Sequence, residues 1–133
     1  MKEEQMDLAQ QDTNTKEFLY YYANFLAVNS NCKRRKYGAI LIKGNKILGK
    51  GYNHADECIT CTRENCIHNE GSYDNCPAIH AEVDAINNAH INNIYDLKGA
   101  KLILVGIENN KKLDKVEPCH ICKKILDDEG ISY

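Results

Sequence analysis

The chain has 133 residues, 43% of them hydrophobic and 27% charged, with a net charge of −2. That length suits one compact domain. No run reaches the ~18–20 apolar residues of a membrane span, and the acidic balance gives no broad grip on nucleic acid, so neither stable nucleic-acid binding nor a membrane role is expected. The polar opening MKEEQMDLAQQDTNTKEF lacks an apolar export core, so the expected location is the cytoplasm. There, seven cysteines read first as metal ligands or catalytic groups rather than as disulfides.

Residues 1–14 read as a flexible polar arm and residues 15–133 as a single domain. Thr15 suits a helix N-cap, and Phe18, Leu19, Tyr22, Phe25 and Leu26 follow at three- and four-residue spacings that share one helical face. KRRK, Lys33 to Lys36, is either a solvated turn or a small anion site for one phosphate. YGAILI, the Gly-Asn turn of KGNK and ILGKGYN predict a β-hairpin. Residues 54–78 form an aperiodic insertion loop holding Cys58, Cys61, Cys66 and Cys76. A stretch of that kind is either disordered or tied down, and cysteines can tie it to a metal.

Helical character returns in AIHAEVDAINNAHINN, where Ala81, Ala85, Ile86 and Ala89 make one apolar stripe. KLILVGI reads as a central strand. Pro118 is placed to open a last helix with Ile121, Ile125 and Leu126 as its apolar face, and Gly130 to stop it. ISY reads as the start of another strand. Alternation of this kind argues for an α/β sandwich with helices covering a mixed sheet.

PCHIC, Pro118 to Cys122, could hold a redox pair, a disulfide or half of a metal site. At i and i+3 in a first helical turn the two sulfurs face the same way, and the positive helix end favours thiolates. Catalytic zinc takes three protein ligands and leaves a fourth position for water. His80, at the start of the preceding helix, is the candidate third ligand, and Glu82 would stand beside the open position. A thioredoxin-type pair would instead follow the first strand of its fold. H-x-E, then a strand, then P-C-x-x-C is the pattern of the zinc deaminases.

At these residues the chain resembles the cytidine/deoxycytidylate deaminase superfamily, and within it the dCMP deaminases. NSNCKRRKYGAILIKGNKILGKGYN (residues 29–53), CPAIHAEVDAINNA and EPCHICKKILDDEGI carry the likeness, which runs from about residue 16 to 132. It implies a three-layer α/β/α cytidine deaminase-like sandwich with a mixed central sheet, its C-terminal part short because the chain ends where relatives continue. It implies Zn2+ held by His80, Cys119 and Cys122, with Glu82 as the single acid–base group in the conversion of dCMP to dUMP and ammonia. Asn53, Ala39 and the Ala81 backbone would meet the substrate, and Arg34 and Arg35 its 5′-phosphate. A second, structural zinc would draw on Cys32, Cys58, Cys61, Cys66, His68 and Cys76, the alternative being free thiols. A homo-oligomer, dimer or hexamer, is expected. A cytidine, deoxycytidine or other free-nucleobase deaminase and a non-catalytic zinc-binding module stand as alternative readings. The family's Gly and proline-containing loop after G-Y-N is replaced here by His54, Ala55 and Asp56.

Overall fold

The computed structural model describes residues 8–32, 34–55 and 78–133, with side chains from residue 16 onward. Its elements in chain order are α1 (Leu8–Ala27), β1 (Lys36–Lys43), β2 (Lys46–Tyr52), α2 (Ala81–Ile91), β3 (Lys101–Glu108), β4 (Lys111–Lys112) and α3 (His120–Glu129). The strands form one sheet in the order β2-β1-β3-β4, every neighbouring pair antiparallel. Its mixed character rests on one parallel bridge, Lys101 with Ser132. Leu102 N–H donates to the Ser132 carbonyl at 2.8 Å and Ser132 N–H to the Ala100 carbonyl at 2.9 Å. ISY therefore adds a bridge rather than a full strand.

Alternation along the strands builds the layers, because successive side chains leave opposite faces. Ala39 and Leu41 of β1 and Leu102 of β3 join Ala81, Ala85, Ile86 and Ala89 of α2 and Leu126 of α3. Ile40, Ile103 and Val105 point the other way and pack on Leu19, Ala23 and Ala27 of α1. The expected sandwich results, with α1 on one face and α2 and α3 on the other.

Several local expectations shift. α1 starts at Leu8, so residues 8–14 belong to the helix rather than to a separate arm, and Thr15 lies inside it rather than capping it. The inward stripe of α1 is Leu19, Ala23 and Ala27, while Phe18 and Phe25 are exposed at 57% and 63%. Small residues win the inner positions because α1 lies close on the sheet. A Cβ at Gly38 would collide with the Ala23 carbonyl oxygen, and one at Gly49 with the Ala85 carbonyl oxygen of α2. α3 begins one residue beyond its N-cap Cys119, which leaves Pro118 outside it. Ile121 is exposed, and Cys122 takes the inward place beside Leu126. β4 was not expected. Its turn uses Asn109 and Asn110, both left-handed with φ of 55° and 62°, the pairing a two-residue hairpin turn needs. Among the described residues no helix is long and apolar enough to cross a membrane.

Replacing Gly38 or Gly49 with alanine is expected to cost about 2–3 kcal/mol, since backbone rather than a flexible side chain must move. Urea unfolding of the variants checks this, and an unchanged midpoint would contradict the packing described.

Candidate metal centre and its pocket

Both helices of the α2/α3 layer begin at the same place. His80 is the N-cap of α2 and Cys119 the N-cap of α3, and neither side chain caps its own helix. Each points instead at the other. His80 Nδ1 lies 3.2 Å from Cys122 Sγ and 3.5 Å from Cys119 Sγ. The three donor atoms all fall within 4.8 Å of one another. Zn–N near 2.0 Å and Zn–S near 2.3 Å in a tetrahedron put N and S about 3.5 Å apart, so the trio fits a zinc ion. Among the described residues it is the one group of three or more such donors.

The electrostatics point the same way. Burial pushes the Cys122 thiol well above its ordinary pKa, with the Glu82 charge and Cys119 adding to the effect. Such a site disfavours negative charge until a cation arrives, and a metal inverts that preference. Glu82, in the first turn of α2, is 6% exposed. Burial raises its pKa; a hydrogen bond from its own backbone N–H, the nearness of His80 and a hydrogen bond from Cys122 oppose the shift without cancelling it. A buried carboxylate beside a group of metal-ligand types is a candidate acid–base group.

The donors open onto a pocket of about 230 Å³ that His80, Glu82, Ala81 and Cys119 share with Leu104 and Ala78. Its other wall is Cys32, Arg34, Arg35, Tyr37 and Asn53, with Glu117 at the rim. A wider hollow of about 400 Å³ between β2 and α2, lined by Ile47, Lys50 and Asn88 among others, has no thiol, imidazole or carboxylate.

Four of the five expected substrate residues therefore reach the pocket. Asn53 is buried there with its amide engaged within its own wall. Its Oδ1 accepts Tyr37 N–H at 2.7 Å and its Nδ2 donates to the Arg35 carbonyl at 2.9 Å. Ala39 is the exception. It is fully buried in the α2-side core and outside the pocket lining. Its smallness serves helix packing rather than ligand approach. Arg35 donates through Nε to Glu108 Oε1 of β3. Cys32 lines the pocket but lies outside the donor trio. Cys58, Cys61, Cys66, His68 and Cys76 lie outside the described residues. Tyr37, Leu104, Glu108 and Glu117 were not anticipated. Only β-strand periodicity could have placed Leu104, and no local signal marks the others.

An imidazole and two thiols gathered at paired helix starts, with a buried carboxylate beside them, make this the site of a zinc-dependent hydrolytic enzyme. Residues 13–132 match the family described as cytidine and deoxycytidylate deaminase zinc-binding region. The deoxycytidylate deaminase of Mycobacterium phage D29 is 30% identical over 129 residues, 86% of this chain and 88% of that protein. That of Schizosaccharomyces pombe is 34% identical over 71 residues, 48% of this chain and 22% of its own length. The dCMP deaminase of cyanophage S-TIM5, solved in complex with dCMP and dUMP, superposes with a TM-score of 0.59 at 25% identity, covering 95% of this chain and 79% of that one. The chain belongs to the cytidine and deoxycytidylate deaminase family.

Because burial favours the protonated form of Glu82, its ionisation costs stability in the metal-free protein. That cost is absent below the unfolded pKa and grows as pH rises through the raised folded one. Glu82→Gln in the metal-free protein is therefore expected to raise Tm at pH 7. The gain should vanish near pH 4. A lower Tm at pH 7 would contradict this placement of the carboxylate.

Proposed function

We propose that the chain deaminates dCMP to dUMP, with His80, Cys119 and Cys122 holding Zn2+ and Glu82 moving the protons. The observation that carries this reading is the convergence of His80, Cys119 and Cys122, with His80, Cys119 and Glu82 lining one pocket. The D29 phage relative, similar over most of both chains, supports the choice of nucleotide.

Bound zinc would supply a Lewis acid that lowers the pKa of water toward about 7. The chain's own residues do the rest. Glu82 takes the proton of the attacking water and delivers it to ring N3 of cytosine. The oxygen adds to C4, Glu82 takes the remaining proton of the new C4 hydroxyl and passes it to the amino group, and the C4–N4 bond breaks as C4=O forms and ammonia leaves. One carboxylate acts as base and then as acid, which suits a pKa lifted by burial. Asn53 frames the sugar side of the pocket, and the Ala81 backbone meets the base edge. We assign the 5′-phosphate to Arg34 and Arg35, both in the pocket lining, with Arg35 also bonded to Glu108. A second, structural zinc would draw its ligands from among Cys32, Cys58, Cys61, Cys66, His68 and Cys76. A cytoplasmic homo-oligomer completes the proposal.

Ammonia release measured across dCMP, CMP, deoxycytidine, cytidine and guanine should be highest for dCMP. Preference for a nucleoside or for guanine would move the substrate, and no release at all would leave a zinc-binding module. Glu82→Gln should keep zinc and lose about 10³-fold or more in kcat, an active variant refuting its role. Arg34→Ala should raise KM for dCMP about tenfold or more and leave deoxycytidine unaffected. An equal effect on both substrates would remove the phosphate assignment. Metal analysis tests the second site, one zinc per intact chain excluding it.

A further inference from the structure

We propose that His54 and Asp84 are positioning residues for His80, through a closed ring of hydrogen bonds that grips its backbone from both sides. The inference rests on His80 as a zinc ligand, and concerns residues to which the reaction itself gives no role.

The ring can be followed bond by bond. Ile79, just before His80, exchanges both backbone bonds with His54. Ile79 N–H donates to the His54 carbonyl at 2.7 Å, and His54 N–H to the Ile79 carbonyl at 3.1 Å. On the other side of His80, Asp84 N–H donates to the His80 carbonyl at 2.9 Å. The Asp84 side chain then closes the circuit. Its Oδ1 lies 3.1 Å from His54 Nε2, which donates to it, and its Oδ2 accepts Tyr52 N–H at 3.0 Å. From His54 the path runs through Ile79, His80 and Asp84 and returns to the His54 ring.

The ring is anchored, not afloat. Asn53 and Ala55 flank His54 in sequence. Asn53 N–H reaches the Tyr37 carbonyl at 3.3 Å, and Ala55 is bonded twice by the Asn31 side chain, at 2.8 and 3.1 Å. The Tyr52 ring lies 5.2 Å from the His54 ring. The His54 and Asp84 side chains are only 23% and 13% exposed, so the pair is not a loose surface contact of the kind that contributes little.

The consequence is local. His80 carries no side-chain cap bond, so its χ angles answer to the metal alone, while its Cα is set by the ring. Without the His54–Asp84 bond the segment 78–80 is tied to α2 only by ordinary helix bonding. The Nδ1 position relative to the two sulfurs then drifts. Groups that orient metal ligands typically change metal affinity or activity by about 10–100-fold when removed.

The test uses the zinc-loaded full-length chain and reads metal rather than turnover first. His54→Ala and Asp84→Ala should each release zinc to a chromophoric chelator about tenfold faster than the parent protein. The double variant should be no faster than the worse single one, since both break the same ring. His54→Gln, whose amide N–H can replace Nε2–H, should return to within about threefold of the parent. With cobalt in place of zinc, the visible absorption of the alanine variants should shift, and kcat should fall more than KM rises. Should an alanine variant fail to fold, His54→Phe fills the ring's space, removes only the N–H, and is read the same way. Zinc release and a cobalt spectrum unchanged in His54→Ala or His54→Phe, whatever happens to Tm, would overturn the proposal. These readouts involve no substrate, so a wrong substrate assignment leaves them intact. A parent chain that retains no zinc would overturn this proposal and the metal reading together.

Discussion

The constraint on which the structure turns is the meeting of two helix N-termini whose cap residues face each other instead of capping. A helix start leaves N–H groups without partners, and Ser, Thr, Asp or Asn at that position ordinarily contributes about 1 kcal/mol by satisfying one. Here the two positions carry His80 and Cys119, and neither makes a cap bond. The forgone capping is offset only when a cation binds between them. The positive ends of both helices then face two thiolates, which their dipoles favour. Cys122, one turn into α3 and buried beside Leu126, supplies the third donor and joins the metal site to the core.

The seating of α2 follows from the same requirement. Its alanine stripe lies on β1 and β2 at a distance only glycine tolerates on the facing strand, as at Gly49. That closeness carries Glu82 inward to where water is scarce, and its raised pKa is the result. Burial of this carboxylate is destabilising by itself. It persists because the surrounding layers hold it, the usual relation between a working site and its scaffold. The pocket's other wall is kept by two cross-strand devices. The Asn53 amide pins the backbone of Arg35 and Tyr37, and Arg35 is joined to Glu108 on β3.

Much of this was legible in the residues themselves, wherever the signal was local. The three donors that the structure gathers, and Glu82 near them, could be named because H-x-E and P-C-x-x-C are short patterns at helix starts, and the order of helices and strands pointed to an α/β sandwich. Gly130 stops α3 in the left-handed conformation it was expected to adopt. What could not be read depends on partners far apart in sequence. The bond from Arg35 to Glu108 joins residues 73 apart in sequence, and no local pattern announces it. The full burial of Ala39 against the alanines of α2 depends on an element some forty residues further on, which the Gly-Ala pair alone does not announce. The setting of His54 depends on Ile79 and Asp84, which lie beyond the cysteine-rich segment. The inward stripe of α1 was misread because aromatic size drew attention to Phe18 and Phe25, while the tight seam on β1 admits alanine.

The account's central claim is that one imidazole and two thiolates share a single ion. X-ray absorption at the zinc edge of the metal-loaded protein tests it most directly. A first shell of one nitrogen near 2.0 Å, two sulfurs near 2.3 Å and one light oxygen is the predicted result; should a second zinc be present, Cys32→Ala restores the one-ion average. A shell of four sulfurs with no imidazole, unchanged in His80→Ala, would place the metal elsewhere in the chain and contradict the account.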